Sequence, residues 1–201
     1  MTLKKILSGA QTGADIAGLQ AAKACGLETG GWIPKGFKTE NGSQPKLGEL
    51  YNLKEHTSDH YGPRTFTNAR DSDGTIRIAG NFNSPGEKLT LKAIQQYEKP
   101  YIDVSMSNPR PIGEVVAWLK ENKIETLNVA GNRESKAPGI TVFAEEYLTK
   151  VIQRIKDEES VDDALLVDFT RKEFDQSIIE SINFREELEQ GEEINDNRND
   201  N

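Results

Sequence analysis

The sequence predicts an α/β fold in which a mostly parallel sheet carries helices on both faces, followed by an acidic helical C-terminal extension. Short apolar segments typical of strands alternate with longer segments whose apolar residues recur at helical spacing. Such alternation is typical of parallel sheets with helical connections. The polar and glycine-rich clusters follow the strands, at the edge where ligands bind to sheets of this class.

The first strand and helix are joined by a turn of small residues. The chain reads Lys4-Lys5-Ile6-Leu7-Ser8-Gly9-Ala10-Gln11-Thr12-Gly13-Ala14-Asp15, and a helix is predicted over Ile16–Cys25. The free N–H groups and the dipole at the start of a helix favour a bound phosphate, and glycines permit close backbone approach. The turn therefore predicts an anion site, although Asp15 could instead cap the helix in a tight turn that binds nothing.

The later elements continue the alternation. In order, we predict a strand over 29–34, a long loop over 35–61, one or two helical turns over 64–69, a strand over 75–79, a helix over 87–97, a strand over 100–105, a helix over 112–121, a strand over 126–131 and a helix over 140–155. The loop is too long to be a mere connector. These elements predict a domain over 1–155, an amphipathic helical extension over 156–190 and a disordered acidic tail over 191–201.

Composition and charge narrow the function classes. The 201 residues contain no apolar run long enough to span a membrane and no signal-peptide pattern, so we expect a cytoplasmic protein. The single cysteine excludes an intrachain disulfide and a multi-cysteine metal cage. Residues 156–201 hold 16 acidic and 5 basic side chains, a net charge of −11, whereas residues 1–155 carry +3. We therefore expect a small anionic ligand as partner, and neither a nucleic acid polymer nor a membrane.

The candidate ligand-binding residues lie in loops that follow or precede strands. They are Gly9, Gln11, Thr12, Gly13 and Asp15; Trp32 and Lys35; Arg64, Asn68 and Asp73; Ser84, Gly86, Lys88 and Thr90; and Gly131, Arg133 and Ser135. Arg64 could hold a phosphate bidentately, and Trp32 could stack on a ring. Each set also has a plain structural interpretation, as a packed aromatic, a capped turn or a solvated loop. No metal-ligand spacing is present.

Several motifs together resemble a known family. They are Ser8 to Asp15, Gly30-Gly31-Trp32-Ile33-Pro34-Lys35-Gly36, Asn68-Ala69-Arg70-Asp71-Ser72-Asp73-Gly74-Thr75 and Leu127-Asn128-Val129-Ala130-Gly131-Asn132-Arg133-Glu134-Ser135-Lys136-Ala137-Pro138-Gly139. Over about residues 3–155 the chain resembles the putative molybdenum carrier family, a YpsA-related branch of the Rossmann-like SLOG superfamily that also holds the lysine-decarboxylase-like (LOG) phosphoribohydrolases. The resemblance implies a Rossmann-like fold and a phosphate-bearing ligand: a nucleotide, a cyclic nucleotide or ADP-ribose-type signal, or the molybdenum cofactor.

Two departures from the relatives bear on catalysis. The segment Ser84-Pro85-Gly86-Glu87 places Glu87 in the cradle where relatives have a Ser-Gly-Gly-Thr type stretch. Laid against the hydrolase motif, the same segment has Ala93 where the catalytic glutamate would be. Binding without turnover is therefore favoured, so that the protein would carry or sequester its ligand. A phosphoribohydrolase acting on nucleoside monophosphates is the first alternative.

The C-terminal extension supports a second alternative. Its apolar residues, which include Phe169, Phe174, Ile178 and Ile182, recur at helical spacing amid dense charge. An exposed apolar stripe of this size needs a cover. We therefore expect a homo-oligomer, a dimer or larger, with the extension at or beside the interface. In this alternative the protein is an assembly protein that acts through its acidic tail.

Overall fold

A parallel six-stranded sheet forms the centre of the computed structural model, which describes residues 3–161. The strands are β1 (Lys5–Ser8), β2 (Glu28–Ile33), β5 (Leu53–Glu55), β6 (Gly74–Ala79), β7 (Tyr101–Ser105) and β8 (Thr126–Gly131), in the spatial order β5-β2-β1-β8-β6-β7. A two-stranded antiparallel hairpin is formed by β3 (Lys38–Thr39) and β4 (Gly42–Ser43). The fold is α/β and Rossmann-like, as predicted.

Six helices accompany the sheet in this part of the chain. They are α1 (Ala14–Ala24), α2 (Pro45–Tyr51), α3 (Tyr61–Arg70), α4 (Pro85–Gln96), α5 (Ile112–Glu121) and α6, which covers residues 140–161. The first helix packs on β1, β2 and β8, and α3 packs on α4. None of the helices within residues 3–161 is long and apolar enough to cross a membrane.

The segment predicted as a long loop is largely ordered secondary structure, so that prediction is wrong. It holds the β3–β4 hairpin, α2 and the edge strand β5, which pairs with β2 through Gly31 and Leu53. These elements escaped the sequence analysis because strands of two or three residues are too short to show a period. The edge strand also exposes Lys54 and Glu55, so that its pattern reads as polar.

The strand order brings two strand-to-helix loops together. From β1 the chain passes to β2 on one side, and the last strand, β8, returns to the other side of β1 with Ser8 beside Val129. Because neighbouring parallel strands end at the same edge, the loops after β1 and β8 lie side by side. This is the kind of position at which open α/β sheets bind ligands.

The C-terminal predictions fall largely beyond the described residues. A first compact unit extends to Lys156, and a second begins at Asp157. The amphipathic extension beyond residue 161 and the acidic tail over 191–201 lie outside the described residues. The interface predicted for them stays a prediction.

Candidate functional site

Two glycines allow the loops after β1 and β8 to touch. Gly13 has a φ of 83°, and a Cβ there would overlap the carbonyl oxygen of Asn132. The contact is closed by a hydrogen bond of 3.1 Å from Ala14 N to Asn132 O. A Cβ at Gly131 would overlap the Ile78 carbonyl oxygen. Both predicted site glycines are thus required by close backbone packing at the crevice.

Arg64 lies over the β1–α1 loop in an almost buried ion pair. Its Nη1 is 3.2 Å from Asp15 Oδ2, and the two side chains are 11% and 5% exposed. A Cβ at Gly9 would overlap the Arg64 guanidinium, which explains the small residue beneath it. Burial raises the pKa of Asp15, and the charge of Arg64 acts against that rise. Asp15 therefore faces Arg64 rather than capping α1.

The Glu40 carboxylate bridges the two loops. It accepts a hydrogen bond from Thr12 Oγ1 with one oxygen and a bond of 2.5 Å from Ser135 Oγ with the other. The Glu40 N–H donates to Gln11 Oε1 over 2.9 Å. Although burial acts to raise the pKa of Glu40, the bonds from Ser135 and Thr12, with the charge of Arg133, hold it below the ordinary value. The two loops thus meet at a carboxylate of the chain itself, that of Glu40.

Arg133 adds a positive charge above an aromatic ring at the same edge. Its guanidinium carbon lies 4.5 Å from the centroid of the Tyr61 ring. Its charge acts on the carboxylates of both Asp15 and Glu40. Because Arg133 is only half-buried, its guanidinium is more accessible to a ligand than the Arg64 guanidinium.

A cavity of about 770 Å³ opens beside these residues. Its wall is formed by both loops, the β3–β4 hairpin and the starts of α2 and α6. The lining residues are Ala10, Thr12, Ile16, Thr39, Glu40, Asn41, Gln44, Leu47, Glu134, Ser135, Pro138 and Thr141. The volume lies in the range of small-molecule sites, which is about 300–1,000 Å³.

The Glu134 carboxylate accepts hydrogen bonds from donors at the start of α6. It accepts from Gly139 N at 2.5 Å, from Thr141 N at 3.0 Å and from Thr141 Oγ1 at 2.6 Å. These bonds lower the pKa of Glu134, with the bond from Thr141 contributing most. The N-terminal donors of α6 that Glu134 occupies are therefore not free for a phosphate.

A buried polar network lies behind the β1–α1 loop. Asn132 Nδ2 donates to Glu87 Oε1 over 3.2 Å, and Arg77 Nη1 donates to the Glu87 carbonyl oxygen over 3.2 Å. Arg77 also forms a bidentate pair with Asp103, at 2.8 and 2.6 Å. Burial raises the pKa of Glu87 to about 7, opposed by Arg77 and reinforced by Asp15. Glu87 is thus a carboxyl group that titrates near neutral pH.

The predicted cradle at the start of α4 is satisfied by its own chain. Ser84 Oγ accepts from Glu87 N over 3.3 Å, and the Thr90 hydroxyl donates to Gly86 O over 3.1 Å. The Lys88 side chain is exposed. A Cβ at Gly86 would meet no atom within 4 Å in the described part of the chain. The residues of this segment therefore form a capped helix start, in which the side chains of Glu87 and Thr90 are buried.

Three other predicted site residues are engaged elsewhere. Asn68 bonds both backbone groups of Trp32, accepting over 2.7 Å and donating over 3.1 Å, and so continues the pairing of β2 beyond the end of β1. The Trp32 indole donates to Asp71 over 2.8 Å. Asp73 accepts from Thr126 N over 2.7 Å, just before β6, at the amino edge of the sheet. The structure thus places Asn68, Trp32 and Asp73 in structural roles, whereas the Lys35 side chain is exposed.

Several residues at the crevice were not among the sequence candidates. Glu40 lies in the segment that the sequence predicts as a loop. The polar turn between Thr39 and Gly42 is the only sequence feature of that segment that marks its position. Asn132 and Glu134 flank the candidate Arg133, so the sequence analysis pointed to their loop. It did not predict their hydrogen bonds to Glu87 and to the start of α6. Arg77, a charge within an apolar strand, signalled a buried ion pair. Within residues 3–161, no group of three or more His, Cys, Asp or Glu residues could hold a metal ion.

Fold and site together define a Rossmann-like α/β protein with a polar crevice beside its central strands. The model of the circularly permuted YpsA SLOG family matches residues 6–152, and the chain belongs to this family. The chain is also similar to the crystal structure of a "Putative molybdenum carrier protein" from Syntrophus aciditrophicus SB. The identity is 36%, the TM-score is 0.67, and the match covers 75% of this chain and 95% of that one. No curated protein matches the chain significantly.

Proposed function

We propose that the protein binds a small phosphate-bearing, nucleotide-derived ligand in the cavity and carries or sequesters it without turnover. The observation that carries the proposal is the convergence of the Thr12 and Ser135 hydroxyl groups on one anionic position at the cavity wall, with the charge of Arg133 nearby. Two hydroxyl donors and a guanidinium are the groups that proteins use to hold phosphate oxygens. The site also lies where parallel α/β sheets bind nucleotides.

Unsatisfied polar atoms near the crevice support a polar ligand. Gln11 Nε2 and Arg64 Nε are buried and lack a hydrogen-bond partner within residues 3–161. Buried donors normally have partners, and a ligand or ordered water would supply them. The cavity has room for a mononucleotide or a pterin phosphate. The name of the structural relative makes the molybdenum cofactor one candidate, beside cyclic nucleotides and ADP-ribose-type signals.

Ala93 supports binding without turnover. It stands where the hydrolase motif has its catalytic glutamate, and it is fully buried in the core side of α4. Cleavage of an N-glycosidic bond needs a group that handles a proton and a group that stabilises the oxocarbenium-like centre. A methyl group in the core supplies neither.

One observation favours phosphoribohydrolase activity as a second candidate. Glu87 is 2% exposed, and burial raises its pKa to about 7 with a further contribution from the charge of Asp15. A carboxyl group with a pKa near the working pH is suited to general acid catalysis. Its Oε2 has no hydrogen-bond partner in the described part of the chain, so it is free to take one.

Calorimetry with matched compounds tests the proposal. AMP, ADP-ribose and a cyclic dinucleotide are titrated into the full chain, and adenosine serves as the phosphate-free control. The proposal predicts that at least one phosphate compound binds and that adenosine binds much more weakly. A result in which no phosphate compound binds more tightly than adenosine would contradict it. Chromatography after long incubation with AMP separates the two candidates, because only the hydrolase releases adenine.

A further inference from the structure

We infer that the Glu40 carboxylate occupies the position of the ligand's phosphate, so that the phosphate binds only when the β3–β4 turn moves away. The inference rests on the proposed function and adds to it a competitor within the chain. It also assigns the phosphate subsite to particular atoms: Thr12 Oγ1, Ser135 Oγ and the Arg133 guanidinium.

The contacts of Glu40 are those of a bound anion. Each carboxylate oxygen accepts from a hydroxyl group on a different loop, with Thr12 after β1 and Ser135 after β8. A backbone hydrogen bond from Ser135 and the charge of Arg133 also stabilise the ionised form. A carboxylate and a phosphate present similar oxygen acceptors to such donors. The donor set therefore does not distinguish Glu40 from a ligand phosphate.

The residue that carries this carboxylate belongs to a small unit with its own bonds. Thr39 Oγ1 donates to Gly42 O over 3.1 Å and accepts from Asn41 N over 3.1 Å, so the turn keeps its shape by itself. The strands on either side are two residues long. One further bond joins the Glu40 backbone to Gln11. The turn can therefore shift as a unit without breaking the six-stranded sheet.

Electrostatics makes the two anions exclusive. The pKa of Glu40 lies below its ordinary value, so the side chain is ionised at neutral pH and repels a phosphate at the same donors. Binding must then break the two hydroxyl bonds of Glu40 before the phosphate forms its own. The competition acts on the phosphate alone, and a neutral nucleoside would gain nothing from the removal of Glu40.

Substitution of Glu40 tests the inference directly. Glu40→Ala removes the competing carboxylate, and we expect AMP to bind about ten- to a hundredfold more tightly than to the parent, since one or two charge-assisted bonds no longer have to be broken. Glu40→Gln keeps the size and one acceptor oxygen without the charge, and should give a smaller gain. Adenosine affinity should not change. Thermal unfolding of each variant shows that it is folded.

Two further variants serve as controls. Glu121→Gln removes an exposed negative charge at the end of α5, and should leave AMP affinity within about twofold of the parent, so that a general charge effect is excluded. Adding Ser135→Ala to Glu40→Ala should abolish much of the gain, because the phosphate then loses one of its donors.

The outcomes separate this inference from the proposed function. If the parent prefers AMP to adenosine and Glu40→Ala binds AMP no better, or binds it worse, the competitor role is wrong and the proposed function stands. If neither the parent nor Glu40→Ala prefers AMP, ADP-ribose or the cyclic dinucleotide to adenosine, both are wrong. A gain in Glu40→Ala that is equal for adenosine also overturns the competitor role, since the gain would then not arise at the phosphate.

Discussion

Arg64 Nη1 lies 3.2 Å from Asp15 Oδ2, and both side chains are almost completely buried. The pair joins α3 to the first turn of α1, directly above Gly9. Buried ion pairs contribute little net stability because both charges lose their hydration. Removal of one partner is nevertheless costly, because the other charge is left buried and unpaired. The pair therefore ties the stability of the fold to the geometry of the crevice.

Replacement of Arg64 should destabilise the protein. Arg64→Ala leaves the Asp15 carboxylate buried without its counterion, and we expect a loss of about 3–5 kcal/mol in the free energy of unfolding. Chemical denaturation at pH 7 measures it. Arg110→Ala, which breaks the half-exposed pair with Glu114, is the control and should cost far less. Equal losses of unfolding free energy in the two variants would show that burial of the Arg64–Asp15 pair does not make its loss more costly.

Glu87 predicts a pH dependence of stability. Burial raises its pKa to about 7 in the folded protein, from an ordinary value of 4.5. The unfolded chain therefore releases this proton first, and stability falls as the pH rises from about 4.5 to about 7. Glu87→Gln keeps the bond to Asn132 and removes the charge, so it should stabilise the protein at pH 8 by about 2–3 kcal/mol.

The gain from Glu87→Gln should shrink towards zero at pH 4.5, where the parent Glu87 is protonated in the folded protein and half protonated in the unfolded chain. Denaturation curves at pH 4.5, 6 and 8 measure it, with Glu121→Gln as an exposed control that should show no such trend. A Glu87→Gln variant that is less stable than the parent at pH 8 would mean that the folded protein favours the ionised carboxylate and does not raise its pKa.

Two glycines predicted for the same purpose should behave differently. Gly13→Ala forces a positive φ and an overlap with Asn132, and should lower the free energy of unfolding by at least about 1–3 kcal/mol. Gly86→Ala adds a methyl group in open space within the first turn of α4, and should leave stability unchanged or raise it by up to about 1 kcal/mol. Thermal and chemical denaturation measure both. Loss of AMP binding in a folded Gly86→Ala variant would show that the start of α4 binds phosphate, as the sequence predicted.

The C-terminal extension predicts a change in assembly. Truncation after Val161 removes the apolar residues Phe169, Phe174, Ile178 and Ile182 together with most of the acidic side chains of residues 156–201. If these residues form an interface, the truncated chain should have a lower oligomeric mass by light scattering, or should aggregate. A truncated chain with the same oligomeric state and the same solubility would show that the extension is not part of an interface.

The sequence predicted the central sheet well because its strands are apolar and separated by periodic helices. It placed the loops after β1 and β8 at the edge of the sheet where such folds bind ligands, the first from Gly9 and Gly13 and the second from Arg133 and Ser135. It could not predict Glu40, because a side chain that bonds to residues 28 and 95 positions away leaves no local pattern. Nor could it separate Asp73, which anchors a strand start, from an acid in a binding loop.

The α4 segment shows a different limit. Ser84 and Glu87 have the spacing of a helix capping box, and Ser84 Oγ does accept from Glu87 N. The Glu87 side chain accepts from Asn132 instead of completing the box at Ser84. That choice depends on Arg77 and Asn132, which stand on β6 and directly after β8, and therefore on the finished sheet.

Native mass spectrometry of the full chain tests the central claim most directly, because it needs no prior choice of ligand. The chain is mixed with a small-molecule extract of cells, and the same is done with the Arg133→Ala variant. We predict that the parent retains an adduct that disappears when the extract is first treated with phosphatase and a phosphodiesterase that also cleaves pyrophosphate bonds, and that Arg133→Ala retains at most about a tenth as much. A parent spectrum without an adduct, or an adduct that survives both the enzyme treatment and Arg133→Ala, would contradict the account.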